Sequence, residues 1–240
     1  MPDTKKLTPA LPTPGRDVWG QAIYKGLADK AAGRVMTLVL LLLVSSIPAN
    51  SCFAQTPPPP LDEHALESVP PTVAKRLATR FSLGGFIGRF EETRLGAIRK
   101  ALGQGTIQHQ GDAGGSIYWL CYQRAQHRLW VVSGGEIGGP EHLVTEIVEE
   151  LTEQDAGASA DCAIMPDKFS PVVFDSKLHL GMSRQEVITA LGPPSKSDAT
   201  QIVYSHQGKL ANGFDETAWL ILGFGEDKLV SMRGGKTTTN

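Results

Sequence analysis

An internal duplication constrains the fold of this 240-residue chain more than any other sequence feature. The segments LGAIRKALGQG (95–105) and SRQEVITALGPP (183–194) each predict a short amphipathic helix that ends at Ala-Leu-Gly. Each helix is followed by three patterns typical of short β-strands, in which His-Gln-Gly, a tryptophan and Gly-Gly recur in the same order. The duplication predicts an α+β fold of two tandem units, each a helix plus an antiparallel meander.

The segments between and before the copies complete the predicted organisation. EHLVTEIVEEL (141–151) predicts a linking helix with apolar residues on one side and its glutamates toward water. Four consecutive prolines predict an extended spacer, with a disordered N-terminus as the alternative. The predicted regions are a signal-peptide region (1–54), a proline-rich linker (55–64), a first α+β repeat (65–140), a linking helix and loop (141–177) and a second α+β repeat (178–236).

The N-terminal region predicts export. Residues 35–44 are an apolar run that is too short to span a bilayer but suits the core of a secretory signal. The small residues that follow predict cleavage between Ala54 and Gln55, and the long region before the run makes Met36 an alternative start. An uncleaved anchor and a lipoprotein attached through Cys52 are the other interpretations. We therefore expect a periplasmic protein, or alternatively one anchored in the outer membrane.

Cleavage would leave two cysteines, Cys121 and Cys162. An even pair in an exported protein predicts a disulfide, with two buried free thiols as the alternative. The remaining chain carries more acidic than basic residues, so no attraction for nucleic acid is expected. A membrane tether is expected only if Cys52 is lipidated.

The second copy resembles a known family. LHLGMSRQEVITALGPPSKS (178–197), followed by QIVYSH and WLILGFGEDKLVSM, resembles the SmpA/OmlA (BamE-like) family of small outer-membrane lipoproteins. Two copies in tandem look like the β-lactamase-inhibitor-protein architecture. The resemblance implies an α+β fold with helices on one face of a sheet and the other face available to a partner. It also implies binding rather than catalysis.

Strand alternation points to candidate binding residues. If Leu220 and Leu222 face the helices, Trp219 and Ile221 face the opposite side of the sheet, and the duplication places Trp119 there too. Aromatic residues are favoured at interface hot spots, so these three residues are the predicted protein interface. The alternative is that the linking helix or an N-terminal helix within 65–81 covers them and makes them core.

The sequence contains no local signature of an enzyme active site and no ligand-like spacing of histidines and cysteines. We therefore expect no catalytic residues, metal or cofactor. The expected function is a non-enzymatic periplasmic protein-binding module in outer-membrane or envelope assembly or maintenance, with a protein partner in the cell envelope. The alternatives are a secreted or periplasmic inhibitor of an enzyme, and a hydrolase whose site is assembled from distant residues.

Overall fold

The computed structural model describes residues 56–61, 66, 69, 77, 79–112, 115–134, 141–152, 162–169, 171–175 and 177–239. All of them belong to one compact unit, Asn50–Asn240. The predicted signal-peptide region and most of the predicted N-terminal helix lie outside the described residues. Within the described part of the chain, no helix is long and apolar enough to span a membrane.

Strands dominate the described residues. The strands are β1 Arg80–Leu83, β2 Phe86–Arg89, β3 Gln108–Asp112, β4 Gly115–Arg124, β5 His127–Gly134, β6 Glu146–Leu151, β7 Ala163–Ile164, β8 Val172–Phe174, β9 Lys196–Ser197, β10 Gln201–Lys209, β11 Asp215–Gly225 and β12 Lys228–Thr239. The helices are α1 Leu95–Leu102 and α2 Arg184–Leu191, and a 3-10 turn spans Asp167–Phe169.

The strands of both sequence copies join in a single sheet. Its order is β3-β4-β5-β6-β12-β11-β10-β9, all antiparallel, and β7 pairs with β4 in parallel. A separate small sheet has the order β2-β1-β8. Strands make up 52% of the described residues and helices 13%. The predicted α+β fold of two tandem helix-plus-meander units is therefore wrong, because the described residues are mostly strand. Strand β6 pairs with β5 and with β12, so the strands of both copies merge into one large sheet.

The predicted linking helix at 141–151 is also wrong. Residues Glu146–Leu151 form the central strand β6, which is paired on both sides. Its β-branched residues Ile147 and Val148 are 0% and 5% exposed on opposite faces, as expected for a strand covered on both sides. Glu149, predicted to face water, is fully buried beside His127, with 3.1 Å between Oε1 and Nδ1. Burial raises the pKa of this carboxyl, and His127 opposes the shift.

The two helices predicted in the repeated segments 95–105 and 183–194 are confirmed, and they lie on one side of the sheet, which we call the inner face. Helix α2 begins with a capping box: the Ser183 hydroxyl accepts from Glu186 N–H, and the Glu186 carboxylate accepts from Ser183 N–H. Helix α1 ends at Gly103 in the left-handed conformation, with φ 77°. Helices, small sheet and inner face share one apolar core, which includes Phe81, Leu95, Ile98, Leu120, Tyr122, Phe174, Val187, Tyr204, Leu220 and Leu222.

Candidate functional site

The side of the sheet away from the helices, which we call the outer face, carries the residues predicted as an interface. Trp119 and Cys121 pack in one cluster there, and Trp219 and Ile221 pack in another, whereas their strand neighbours Leu120 and Leu220 belong to the inner core. Alternation along β4 and β11 thus places these side chains as the sequence predicts. However, Trp119, Trp219 and Ile221 are only 4%, 7% and 8% exposed, so they do not form an open surface in this structure.

Strand register arranges the outer face in two rows that cross the strands. The first row is Cys121, Trp130, Val148, Arg233, Ile221 and Val203, each opposite the next on neighbouring strands. The second row is Trp119, Val132, Glu146, Gly235, Trp219 and Ser205. Trp119 and Trp219 therefore occupy similar places toward opposite ends of the second row.

At the end of the outer face near β4, the cover is covalent. Cys121 on β4 and Cys162 just before β7 lie at disulfide distance, with their Cα atoms 4.9 Å apart. They pack in one cluster with Trp119, Trp130, Val132 and Val148. The parallel pairing of β7 with β4 begins at Ala163, the next residue after Cys162. The cysteine pair thus fixes the chain that follows it against this end of the sheet.

At the end near β10 and β11, residues from the N-terminal part of the chain cover the outer face. Val69 is buried against Val203, Trp219 and Ile221, and two partly buried leucines, Leu61 and Leu66, pack on the same cluster. Among the described residues, this cover is non-covalent and comes from a region predicted to be a linker or the start of a helix. Its apolar contacts are what bury Trp219 and Ile221.

Residues 56–61, which we call the proline segment, lie on the middle of the outer face. The indole Nε1 of Trp130 donates a hydrogen bond to the carbonyl of Thr56 at 2.9 Å. Arg233 donates from Nη1 to the carbonyl of Pro60 at 2.8 Å and from Nη2 to that of Pro59 at 2.9 Å. All three contacts are made to backbone carbonyls, so the segment predicted as a free spacer is held against the sheet.

A buried acid holds Arg233 in place. The Arg233 guanidinium donates from Nε and Nη2 to the Glu146 carboxylate on the neighbouring strand β6, and the two side chains are only 12% and 10% exposed. Burial raises the pKa of Glu146, and the bond to Arg233 opposes that shift. Because Glu146 takes one edge of the guanidinium, the remaining N–H groups are directed at the proline segment.

An open groove of about 190 Å³ runs beside the proline segment. It is lined by Pro59, Pro60, Val148, Glu150, Gln201, Ile221, Ser231, Met232 and Arg233. The groove therefore reaches Ile221, one of the predicted interface residues. Sequence reasoning missed Trp130, Glu146 and Arg233; alternation around the inward-facing Met232 was the available signal for Arg233.

Ser116 and His109 form a serine–histidine pair of the kind that a hydrolase uses. The rings of His109 and His142 stack on either side of Tyr118, at centroid distances of 4.3 and 3.8 Å. The Ser116 hydroxyl lies 3.1 Å from His109 Nε2 but donates to the Asp112 carbonyl at 2.8 Å, so its proton is not directed at the histidine. The described residues contain no group of three or more His, Cys, Asp or Glu side chains able to hold a metal ion.

The candidate site is the outer face around Trp130, Arg233 and Ile221. Trp130 and Arg233 donate to backbone carbonyls there, the groove reaches Ile221, and both Trp119 and Trp219 are buried on the same face. Comparison with protein-family models, with curated proteins and with solved structures finds no match for this chain.

Proposed function

We propose that this chain is a non-enzymatic protein-binding module of the cell envelope and that the outer face of its sheet is the binding surface. The observation that carries the proposal is the way this face is covered. Trp219 and Ile221 are buried in a cluster with Val69, on which Leu61 and Leu66 pack, and these three covering residues come from the segment that follows the run of prolines. No covalent link joins them to the sheet among the described residues. Such a cover can be displaced without unfolding the sheet beneath it.

The composition of the face supports binding. Trp130, Trp219 and Arg233 lie on it, and tryptophan and arginine are the residue types most enriched at interface hot spots. The groove beside the proline segment gives a partner access to Ile221 and Ser231 while the cover is still in place. A partner can therefore begin to bind at the groove and then replace the cover.

Two features support an envelope location. The apolar run at 35–44 has the length of a secretory signal core. Cys121 and Cys162 lie at disulfide distance, and disulfides persist in oxidising compartments such as the periplasm. An enzyme inhibited by this protein would be one particular kind of partner, and identifying the partner distinguishes that role from envelope assembly.

Site-specific photocross-linking in the native host tests the proposal. A photoreactive amino acid replaces Ser231, which lines the groove, and in a matched variant it replaces Ala97, which is exposed on α1 over the inner face. We expect adducts of defined mass from position 231 and not from position 97, with the partner identified by mass spectrometry. If the two positions give the same adducts, or neither gives any, the outer face is not the binding surface.

A further inference from the structure

The sheet binds the proline segment through hydrogen bonds to the backbone of that segment. The three hydrogen bonds from Trp130 and Arg233 end on the carbonyls of Thr56, Pro59 and Pro60. A proline has no N–H group, so a run of prolines crosses an apolar surface without leaving donors unsatisfied. These contacts use no side-chain atom of the segment, and another chain of the same backbone conformation could make them.

The spacing of the two donors matches a polyproline helix. Trp130 and Arg233 both lie opposite Val148, so they are two strands apart in one row. Neighbouring strands are about 4.8 Å apart, so the backbone positions of Trp130 and Arg233 are about 9.6 Å apart across the sheet. A polyproline II helix rises about 3.1 Å per residue with three residues per turn. Thr56 and Pro59 would thus present carbonyls on one side about 9.3 Å apart.

The same row continues toward the apolar end of the face. Beyond Arg233 it passes through Ile221 and Val203, two members of the cluster on which Leu61 packs. We call this row of side chains the track. It offers two donors to backbone carbonyls, Trp130 and Arg233, and then an apolar site for a large side chain. This order, a proline run and then a leucine, is the order of the chain's own residues 57–61.

From this arrangement, and resting on the proposed function, we infer that the outer face binds a proline-rich segment of another protein in the place where the chain's own proline segment lies. The chain's own segment is a tethered competitor. A tether gives it an effective concentration of the order of millimolar, so it keeps the track closed until a stronger segment replaces it. A partner segment gains the advantage by also filling the groove beside Ile221 and Ser231.

Peptide binding to an opened variant tests the inference. In the full chain, residues 57–60 are replaced by Gly-Ser-Gly-Ser, and a fluorescein-labelled peptide of the sequence QTPPPPLD is titrated by fluorescence anisotropy. We expect the opened variant to bind the peptide at least about tenfold more tightly than the unchanged chain, in which the tethered segment competes. A peptide with four glycines in place of the prolines should bind about tenfold more weakly, since it pays more entropy to become extended.

The matched variant is Arg233→Lys in the opened background. Lysine keeps a positive charge opposite Glu146 but cannot donate to two carbonyls in the arginine geometry, so we expect peptide affinity to fall about tenfold while the far-ultraviolet circular dichroism spectrum stays the same. If the opened variant does not fold, Pro59→Gly in the full chain takes its place, with the same direction expected.

The outcomes separate this inference from the proposed function. Equal binding of the proline and glycine peptides, or no binding to a folded opened variant, overturns the proline-rich ligand, and adducts at position 231 would then still support a binding face. A concentration-dependent dimer of the unchanged chain that the peptide dissociates would identify the occupant as a second copy and overturn the foreign source.

Discussion

The two ends of the outer face are closed in different ways. Near β4, Trp119 is buried in a cluster that contains Cys121 and Cys162. Near β11, Trp219 is buried in a cluster closed by Val69, Leu61 and Leu66, with no covalent link among the described residues. The two tryptophans occupy comparable places in the same row, yet only one of them lies beside a covalent cover. Burial alone therefore does not show whether a surface can open.

Breaking the covalent end should have the largest effect. Replacing both Cys121 and Cys162 by serine removes a link that closes a loop with a sequence separation of 41. In the chain-entropy account, the free energy of unfolding falls by about 3–4 kcal/mol. Urea unfolding of the variant and of the unchanged protein under oxidising conditions measures the difference. A loss below about 1 kcal/mol would show that the cysteine pair is not what closes this end.

A pair of neighbouring glycines compares the outer face with the inner face. A methyl group on Gly235 would run into the Trp219 ring on the outer face, and one on Gly234 would meet Phe174 and Leu220 in the inner core. Each change to alanine should lower the free energy of unfolding by about 1–3 kcal/mol through overpacking.

Only Gly235→Ala is expected to open the face, because it displaces the Trp219 ring, which belongs to the cluster that Val69 and Leu61 close. Iodide quenching of tryptophan fluorescence measures the exposure, which should rise for Gly235→Ala and stay unchanged for Gly234→Ala. Equal quenching of both variants would contradict a separately movable cover.

Weakening the non-covalent cover should have a smaller effect. Leu61→Ala removes a partly buried side chain from the Trp219 cluster, and we expect a loss of about 1 kcal/mol in the free energy of unfolding. The matched change is Leu143→Ala at a leucine that is 40% exposed, for which a smaller loss is expected. Thermal unfolding of both variants provides the comparison, and a larger loss at Leu143 would argue that Leu61 contributes nothing to the cover.

The smallest effect concerns pH at the middle of the face. Burial raises the pKa of Glu146 despite Arg233, so the folded protein holds this proton more tightly than the unfolded chain does. The contribution to stability is present below the ordinary glutamate pKa and is lost as pH rises through the higher folded value.

Glu146→Gln removes this titration. We therefore expect the free energy of unfolding of the unchanged protein, relative to the variant, to fall in urea unfolding curves as the pH rises above the ordinary glutamate pKa. Burial also raises the pKa values of Glu149 and Glu150. Both residues are present in the unchanged protein and in the variant, so their contributions cancel and the difference in unfolding free energy reports on Glu146. A difference that rises with pH would contradict the assignment.

Local patterns predicted the parts of the fold that depend on neighbouring residues. Helix α2 with its Ser183–Glu186 capping box, helix α1 and the face on which Trp219 lies follow from spacing along the chain. The linking helix failed because the apolar spacing of Val144, Ile147, Val148 and Leu151 fits a helix as well as a strand covered on both faces. Pairing with β12, about 80 residues later, decides between them, and no local window contains that information.

The candidate site shows the same division. The local sequence pattern is enough to assign side chains to the outer face, because alternation is a property of a single strand. The pairing of distant strands was needed to place Trp130 and Arg233 in one row, and the folded chain was needed to show that the proline segment lies across them rather than in solvent. Both the register between distant strands and the docking of the proline segment depend on long-range contacts, whose partners are not adjacent in the chain.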